Sequence, residues 1–416
     1  MSDAPSDIGF DGDRLLRRVA ELARVGASAA GGVTREAWGP ADLAARDLVA
    51  GWMVEAGLSP EVDAAANLIG RSPGRGGRWL ATGSHLDTVV DGGTLDGAYG
   101  VVAAIEVAAS LHDTGRVMEH GLLVAAFANE EGARGTSGMT GSHACVGLHA
   151  DTPVEELDDD GVTVGERLRH AGGDPAALDH ACWPLADVEA FVELHIEQGP
   201  VLDDTGRPIG VVSGITGRQG LDVVVHGAAN HAGTTPMHLR HDALAAAAEI
   251  VLAIESLPRD GGVRVATCGH VAASPNVRNV IPGQVALGVE LRDQDAAVLD
   301  AAMLGVDAML ARVAVARGVT VDARWGQRVP PVASDPAVVA SVRRVAGAMG
   351  LAWIDLPSGA GHDAQIIGRV LPIGMIFVPS VGGVSHSPRE RTDAADLLAG
   401  AEALLRTLLD LDGRSR

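Results

Sequence analysis

The stretch WLATGSHLDT, residues 79–88, is the most informative part of this sequence for the architecture. It starts as a short apolar run, typical of a buried strand, and turns polar at Gly83-Ser84-His85. A second such stretch, LLVAAFANEE at 122–131, follows an apolar helical segment at 98–111. Strands that alternate with helices and end in polar residues predict an α/β sheet whose functional site lies at the carboxyl ends of its strands.

The middle of the chain has a different pattern of predicted strands and helices. This pattern indicates a separate small α+β unit. Its strands are predicted at 221–226, 263–271 and 285–291, and its Ala-rich helix at 242–256. From about residue 330 the first pattern returns, with helices at 335–349 and 392–409 and strands at 351–355 and 374–378. We therefore predict an α/β domain in two parts, 1–213 and 327–416, interrupted by a smaller α+β domain at 214–326.

Composition excludes several classes of protein. The 416 residues include 32 basic and 54 acidic side chains, which gives a formal net charge of −22. Nucleic acids and anionic membrane surfaces both require a basic surface, so neither is expected as a partner. All the basic residues are arginines. The absence of lysine excludes Schiff-base chemistry and a P-loop.

Cysteine usage and the N-terminal residues indicate the compartment. The three cysteines, Cys145, Cys182 and Cys268, are far apart in the sequence and their odd number argues against a disulfide framework. Residues 1–7 are acidic and lack the basic-then-apolar pattern of a secretion signal. No apolar run is long enough to span a bilayer. We predict a cytoplasmic protein.

The densest polar cluster is Ser84-His85-Leu86-Asp87, which is followed by a glycine-rich loop that ends in Asp96-Gly97. His85 and Asp87 are two residues apart after a strand and point the same way. His85 is therefore a candidate metal ligand, with Asp87 as the carboxylate that fixes its tautomer. Asp96 precedes a predicted helix, so it could cap that helix, bind a metal, or do both.

Three further segments carry candidate residues. The neighbouring acids Glu130 and Glu131 follow a buried strand, where they either face solvent in a loop or divide metal binding and proton transfer between them. His195 lies between Glu193 and Glu197 on one face of a predicted strand, which suits a metal ligand or a solvent-facing polar edge. Arg292 either pairs with a neighbour such as Glu290 or binds a substrate carboxylate.

These segments together resemble the M20 metallopeptidase-type amidohydrolases, and within them the hydantoinase/carbamoylase branch. The resemblance covers nearly the whole chain, since six motifs occur in the same order. They are Ser84-His85-Leu86-Asp87-Thr88, Asp96-Gly97, Asn129-Glu130-Glu131-Gly132, Leu194-His195-Ile196-Glu197-Gln198-Gly199-Pro200, His231-Ala232-Gly233-Thr234-Thr235-Pro236-Met237 and Ser385-His386-Ser387. That branch contains N-carbamoyl-L-amino acid hydrolases, β-ureidopropionases and allantoate amidohydrolases.

The resemblance implies a catalytic α/β domain with two divalent metal ions and an inserted lid that also forms a homodimer. It implies that Glu130 is the general base, that Asp87 supports His85, and that His231 reaches into the partner subunit's site. The implied metal ligands are His85, Asp96, Glu131, His195 and His386, with Asp96 shared. The implied substrate contacts are Gln198, His231, Asn279, Arg292, Gly361 and His362. Imidazole and carboxylate ligands suit Zn, Mn, Co or Ni.

The predicted function is hydrolysis of the carbamoyl C–N bond of an N-carbamoyl-L-amino acid, a small ureido-carboxylate, by a dimetal enzyme. Allantoate hydrolysis is the first alternative. An aminoacylase or dipeptidase is disfavoured, because peptidases of the family usually have a carboxylate where this chain has His195. A non-catalytic metal-binding protein on the same fold is the alternative from another class. Two departures from the branch, Gly135 after Arg134 and Gly217-Arg218-Gln219, leave the substrate open.

Overall fold

The computed structural model describes residues 9–151 and 153–415. Residues 1–7, on which the prediction of a missing targeting signal depends, lie outside them. The chain forms two compact units, which we call unit 1 (Met1–Gly214 and Ala333–Arg416) and unit 2 (Ile215–Val332). Unit 2 begins one residue after the predicted inserted domain at 214–326 and ends six residues after it. The assignment of a catalytic domain and a lid stays a prediction.

The strands and helices are numbered in chain order. The strands are β1 (Ser59–Val62), β2 (Leu68–Ser72), β3 (Trp79–His85), β4 (Gly121–Phe127), β5 (Val188–Ile196), β6 (Ile209–Ile215), β7 (Gly217–His226), β8 (Asn230–His231), β9 (Val265–Ser274), β10 (Val280–Ile281), β11 (Gln284–Asp293), β12 (Thr320–Trp325), β13 (Val332–Ala333), β14 (Trp353–Ser358) and β15 (Ile373–Val378). The α-helices are α1 (Gly12–Leu22), α2 (Pro40–Glu55), α3 (Ala98–Asp113), α4 (Thr140–Cys145), α5 (Val164–His170), α6 (Val201–Thr205), α7 (Ala243–Ser256), α8 (Ala296–Arg317), α9 (Pro336–Ala348), α10 (Asp363–Ile367) and α11 (Ala394–Asp412).

The main sheet has nine strands in the order β1-β2-β4-β3-β5-β15-β6-β13, with β14 paired to β6. Its four central strands, β4, β3, β5 and β15, run parallel to one another. All seven residues of β4 are buried, as expected for a parallel strand covered on both faces. The antiparallel pairs lie on either side of these four strands. The predicted α/β fold is confirmed, with antiparallel additions.

Helix α3 is the centre of the core of the main sheet. Every residue from Ala98 to Leu111 is buried, because the helix packs between the sheet and the helices α1 and α11. The sequence suits this position, since the helix is apolar all round rather than on one stripe. Its first turn follows directly on the loop that carries Asp96, so the packing of α3 fixes where that loop ends.

Unit 2 contains an antiparallel sheet in the order β12-β7-β11-β9. Alternate residues of β7 and β11 are buried against α7 and α8, among them Val223, Val225 and Leu287. The separate small pair β8 and β10 joins Asn230–His231 to Val280–Ile281. Strand β9 forms one edge of the larger sheet, and most of its side chains are exposed. The predicted α+β character of this segment is confirmed.

The sequence analysis missed α8, at 22 residues the longest helix of the described chain. Its ends have ordinary signals: Asp295 caps the first turn by accepting a hydrogen bond from Ala297 N, and Gly318 is left-handed at the other end. Its interior is rich in alanine on every side, so no clear apolar stripe marks it as a helix. Within the described residues, no helix combines the length and apolarity needed to cross a membrane.

Candidate metal centre

The candidate site lies where the four parallel strands of unit 1 end. His85 is the last residue of β3, and His195 is the next-to-last residue of β5. Glu130 and Glu131 follow β4, and His386 lies in the loop after β15. The parallel order of these strands brings segments that are up to 300 residues apart in sequence to one edge. This is the arrangement that the polar strand ends predicted.

Asp96 is the centre of the cluster because each of its carboxylate oxygens faces imidazole nitrogens. Its Oδ1 lies 3.2 Å from His195 Nε2 and 3.8 Å from His85 Nε2. Its Oδ2 lies 3.0 Å from His386 Nε2, which is also 3.6 Å from Glu131 Oε1. Two sets of potential ligands therefore share Asp96: His85 with His195 on one side, and Glu131 with His386 on the other.

The donor atoms of the cluster fit a pair of cations. Asp96 Oδ1 and Glu131 Oε1 are buried and accept no hydrogen bond in the described structure. In each set the potential ligand atoms lie within 4.8 Å of one another. Ligand atoms of a tetrahedral zinc ion are about 3.3 Å apart, so a small inward movement would suffice. Buried lone pairs that face one another without a shared proton are costly unless a cation lies between them.

The imidazole tautomers are consistent with this arrangement. His85 Nδ1 lies 2.9 Å from the carbonyl oxygen of Asp87, and His195 Nδ1 lies 2.9 Å from the carbonyl oxygen of Ile196. In a neutral ring, an Nδ1–H that donates to a carbonyl places the metal-binding lone pair on Nε2. In the described structure His195 Nε2 also accepts a hydrogen bond from Gly97 N, at 3.2 Å. Both Nε2 atoms face Asp96 Oδ1. The backbone thus orients the two rings.

The predicted role of Asp87 needs a correction. We expected its carboxylate to fix His85, but Asp87 Oδ1 is 3.8 Å from His85 Nδ1, and the carbonyl oxygen makes the contact instead. The carboxylate accepts hydrogen bonds from the backbone N–H groups of Glu130 and Glu131, at 3.2 and 3.1 Å. Asp87 therefore joins the segment that carries His85 to the one that carries the two glutamates.

The site holds more negative charge than its surroundings balance. Burial raises the pKa of Glu130 well above its ordinary value, and the charge of Glu131 adds to this effect. Burial, with the charge of Asp96, raises the pKa of Glu131 to about 8. Burial alone would raise the pKa of Asp96, but the imidazoles of His195 and His386 outweigh it and hold that pKa well below its usual range. Such a group of acids favours bound cations.

Asp96 does not cap the helix that follows it. Gly97 is the N-cap residue of α3, and no side chain caps that end. The backbone of Gly97 is left-handed, with φ 62°, and a Cβ there would overlap the ring of His85. This turn directs the Asp96 carboxylate to the cluster instead of to the helix. The capping role considered for Asp96 is therefore absent, and its role as a metal ligand stays a prediction.

The other predicted site residues of unit 1 surround the same cluster. Gln198 Nε2 donates a 2.9 Å hydrogen bond to Asp96 Oδ2. The His362 ring packs edge-on against His195, with centroids 4.6 Å apart, and its Nε2 is 2.8 Å from Ser358 Oγ. Gly361 precedes it, and a Cβ there would lie 3.3 Å from the methyl end of the Met139 side chain. Gln198 and His362 therefore contact the cluster, whereas the role of all three residues as substrate contacts stays a prediction.

Unit 2 carries the remaining three predicted residues. His231 and Asn279 are neighbours, because Ala232 N donates to the Asn279 carbonyl oxygen at 3.0 Å. Both side chains are exposed. Arg292 lies near the end of β11 and is half-buried, and its guanidinium contacts Glu290 Oε1 at 2.6 Å. The pairing of Arg292 with Glu290, one of the two interpretations of this residue, is therefore present.

With this geometry described, comparison with known proteins identifies the family. Residues 81–410 match the family described as peptidase family M20/M25/M40. The chain belongs to this family. It is 41% identical over 404 residues to the N-carbamoyl-L-amino acid amidohydrolase of Geobacillus stearothermophilus, covering 97% of this chain and 99% of that protein. It is 38% identical over 401 residues to the allantoate amidohydrolase of Bacillus subtilis (strain 168), covering 94% and 95%.

A solved structure gives the same assignment. An amidase of the hydantoinase/carbamoylase family from Burkholderia multivorans superposes with a TM-score of 0.92 at 37% identity, covering 97% of this chain and 98% of that one. The M20 chain described here is thus a member of the hydantoinase/carbamoylase branch, as its motifs indicated. It is a metal-dependent amidohydrolase that acts on C–N bonds other than peptide bonds.

Sequence analysis of this M20 enzyme missed two acids that support the cluster. Glu193 was noted beside His195 but given no role; it is fully buried and accepts hydrogen bonds from Ser84 Oγ at 2.7 Å and Ala364 N at 2.9 Å. Glu390 accepts from the backbone at Asp96. The available signal for Glu193 was its position on the face of β5 that carries His195. For Glu390, the only available signal was that it follows His386 closely in the sequence.

Proposed function

We propose that this enzyme hydrolyses the carbamoyl C–N bond of N-carbamoyl-L-amino acids and releases the free amino acid, ammonia and carbon dioxide. The observation that carries the proposal is the paired ligand set around Asp96, with Glu130 beside it. The full-length similarity to a carbamoyl-amino acid amidohydrolase at 41% identity supports the choice of substrate.

The proposed ligands are His85 and His195 for one ion and Glu131 and His386 for the other, with Asp96 shared. Two divalent ions held there would polarise the ureido carbonyl and make bound water acidic at neutral pH. Zn, Mn, Co and Ni all accept such ligands. This ligand set is supported by the two orphaned buried oxygens, on Asp96 and Glu131, described above.

Glu130 is the proposed general base. It is buried, its Oε2 lies 3.8 Å from His85 Nε2, and no arginine of residues 9–151 or 153–415 forms an ion pair with it. Its backbone N–H donates to Asp87 Oδ1 at 3.2 Å. In this role Glu130 takes a proton from the attacking water and later gives it to the amino acid nitrogen as the C–N bond breaks. The carbamic acid released then separates into ammonia and carbon dioxide. Glu130 ends the cycle in the form in which it began.

His231 is the proposed donor to the oxyanion. Its Nδ1 accepts hydrogen bonds from the N–H groups of Gly233 and Thr234, at 3.0 and 3.2 Å. The neutral ring therefore carries its proton on Nε2, where it can be donated to a developing negative charge. Arg292 is the proposed partner of the substrate carboxylate. Asn279, Gln198, Gly361 and His362 are proposed to line the substrate.

A homodimer is part of the proposal. Strand β9 is an edge strand whose unpaired side and exposed Val265 and Val271 could join an equivalent strand of a second copy. His231 is exposed in the single chain, which is compatible with a role in the partner's site. No nucleic acid, membrane or protein of another kind is required. The expected substrate is a small molecule with a ureido group and a carboxylate.

Allantoate is the second candidate substrate, favoured by the 38% identity to an allantoate amidohydrolase. Allantoate also carries a ureido group next to a carboxylate. The segment Gly217-Arg218-Gln219 weakens this alternative, since allantoate hydrolases tend to have Gly-Gln there. The Gln219 side chain is buried and donates to the carbonyl oxygen of Gly326 at 2.8 Å, so it is engaged within unit 2.

The test is a comparison of kcat/KM for N-carbamoyl-L-amino acids, their D enantiomers, allantoate and a dipeptide, each with Mn and with Zn. We expect the highest value for one of the N-carbamoyl-L-amino acids and none above background for the dipeptide. Glu130→Gln protein purified in parallel serves as the control for contaminating activity. A kcat/KM for allantoate that exceeds that of every carbamoyl amino acid would overturn the proposal.

A further inference from the structure

Glu390 connects the two loops that carry Asp96 and His386. Its Oε1 accepts hydrogen bonds from the backbone N–H groups of Leu95 and Asp96, at 2.9 and 3.1 Å. Its Oε2 accepts a 2.7 Å hydrogen bond from the hydroxyl of Ser385, the residue before His386. The buried carboxylate of Glu390 thus contacts the backbone at Asp96 and the side chain of Ser385, which is adjacent to His386.

The surroundings of Glu390 are shaped to receive it. Its carboxylate lies against Gly93, where a Cβ would overlap both oxygens. The loop at 381–391 that carries Glu390 is closed by a hydrogen bond from Val381 N to the Arg391 carbonyl oxygen, at 2.9 Å. A carboxylate buried this deeply is costly unless its oxygens accept hydrogen bonds, and the three donors described above provide them.

The two loops need such a connection, because one holds its ligand in a strained conformation and the other is rich in glycine. His386 has φ 50°, a left-handed conformation that costs a residue other than glycine of order 1 kcal/mol. His386 is also exposed, so packing alone does little to hold it. Asp96 belongs to a loop with several glycines and does not cap α3. Without Glu390, both ligands would depend on long loops for their positions.

We propose that Glu390 is a positioning residue that holds Asp96 and His386 at the spacing required to bind the metal pair. The proposal rests on the proposed function, because it takes these two residues as ligands. Glu390 itself is not taken as a ligand, because its carboxylate is not part of any of the groups of converging ligand atoms found in the described residues. Outer partners of metal ligands typically contribute about 10–100-fold to metal affinity. We expect Glu390 to contribute within this range.

The test measures the affinity of the full-length protein for Mn and Zn by competition with a chelator, for wild type and for Glu390→Ala. We expect Glu390→Ala to weaken metal binding by about 10–100-fold. At saturating metal, its KM for substrate should stay close to that of wild type. Glu390→Gln should recover most of the affinity, because its amide oxygen can accept from the two backbone N–H groups while its NH₂ donates to Ser385.

Glu106→Ala is the matched control. Glu106 is also a fully buried glutamate that accepts a backbone hydrogen bond, from Asp11 N at 3.1 Å, but it pairs with Arg14 away from the site. Its loss should lower stability and leave metal affinity within about twofold of wild type. If Glu390→Ala does not fold, Ser385→Ala carries the test. The Ser385 hydroxyl contacts Glu390 Oε2 at 2.7 Å and, at 3.3 Å, Asp96 Oδ2, so we expect a loss of affinity of several-fold when both contacts are removed.

The outcomes separate the two proposals. Metal affinity of wild-type strength in Glu390→Ala, or in Ser385→Ala where that variant replaces it, would overturn the positioning role. An affinity loss in Glu106→Ala as large as that in Glu390→Ala would also overturn it, since the effect would then be general destabilisation. A wild-type protein that binds no divalent ion would instead overturn the proposed function.

Discussion

The two units hold their candidate functional residues in opposite ways. In unit 1 the cluster around Asp96 is largely buried, and its side chains contact one another or the backbone. In unit 2, His231 and Asn279 are exposed, and Arg292 is half-buried beside one glutamate. The carboxyl groups whose pKa is raised by burial, including Asp42, Glu131 and Glu390, all belong to unit 1 within the described residues.

The difference indicates a division of roles. A buried surplus of acidic side chains favours bound cations whether or not substrate is present. The exposed side chain of His231 in unit 2 is accessible from solvent, as its proposed role in binding substrate requires. Changes in unit 1 should therefore alter metal content and the chemical step, whereas changes in unit 2 should alter substrate binding and charge stabilisation and leave the metals in place.

The largest effect is expected at two adjacent residues of unit 1. Glu130→Gln should lower kcat by about 10²–10⁴-fold, because the general base is lost, while both metal ions remain bound. Glu131→Gln should instead lose at least one metal per subunit, since its oxygen is a proposed ligand. Activity assays with metal analysis of both variants check this contrast. Full activity in Glu130→Gln, or full metal content in Glu131→Gln, would contradict it.

The second-largest effect is expected at His231, and it can show whether this residue acts across subunits. His231→Ala should lower kcat by about 10²–10³-fold, as expected for loss of an oxyanion donor, without loss of metal. Mixed dimers of Glu130→Gln and His231→Ala subunits should regain activity, because one site then combines an intact Glu130 with the partner's intact histidine. Each variant refolded alone is the control. Mixed dimers that stay as inactive as their parents would show that His231 acts within its own chain.

Much of this arrangement could be predicted from the sequence, for a physical reason. Apolar runs as short as 122–127 favour buried strands over helices, and polar residues just after parallel strands meet at one edge of the sheet. His85, Glu131 and His195 could be found in this way. The inserted α+β unit was visible because its strands alternate apolar and polar residues, in contrast to the continuously apolar β4.

The rest depended on contacts that no local pattern records. Glu390 contacts Asp96 across 294 residues of sequence, so nothing near it in the chain reveals its partner. The carbonyl oxygen of Asp87, and not its carboxylate, contacts His85 because the chain turns after β3, and sequence spacing does not specify that turn. Helix α8 was not predicted, because its many alanines give no amphipathic pattern. The Arg292–Glu290 pair was one of two alternatives that spacing could not separate.

A smaller effect concerns the pH dependence of stability. Burial raises the pKa of the Asp42 carboxyl to about 6 from an ordinary value of 3.8. The folded state therefore binds this proton more tightly, and stability falls as pH rises from about 4 to 6, by up to about 3 kcal/mol. Asp42→Asn keeps an oxygen for the hydrogen bond from Trp38 N and should remove this fall. Urea unfolding of both proteins between pH 4 and 7 measures the difference.

A residue of unit 2 provides the control of opposite sign. The hydrogen bond with Arg317 lowers the pKa of Glu249, so this pair stabilises the fold at neutral pH and the contribution is lost as pH falls through the lowered pKa. As the pH falls, the wild type should therefore become less stable in comparison with Glu249→Gln. In comparison with Asp42→Asn, the wild type should become more stable. Parallel pH profiles for the two variants would contradict the contrast between the buried acids of unit 1 and this exposed pair.

The smallest effect is expected at Arg292. Arg292→Ala should raise KM for an N-carbamoyl amino acid by about 10-fold, about 1.4 kcal/mol, since a charge-assisted hydrogen bond to the carboxylate is lost. Arg292→Lys should restore only part of this, because an ammonium cannot bind a carboxylate through two parallel hydrogen bonds. Metal content should not change. The same substrate with its carboxylate converted to an amide is the control: wild type and Arg292→Ala should bind it equally. A KM for the carboxylate substrate that is the same in both proteins would exclude Arg292 as the contact and leave its pairing with Glu290 as its role.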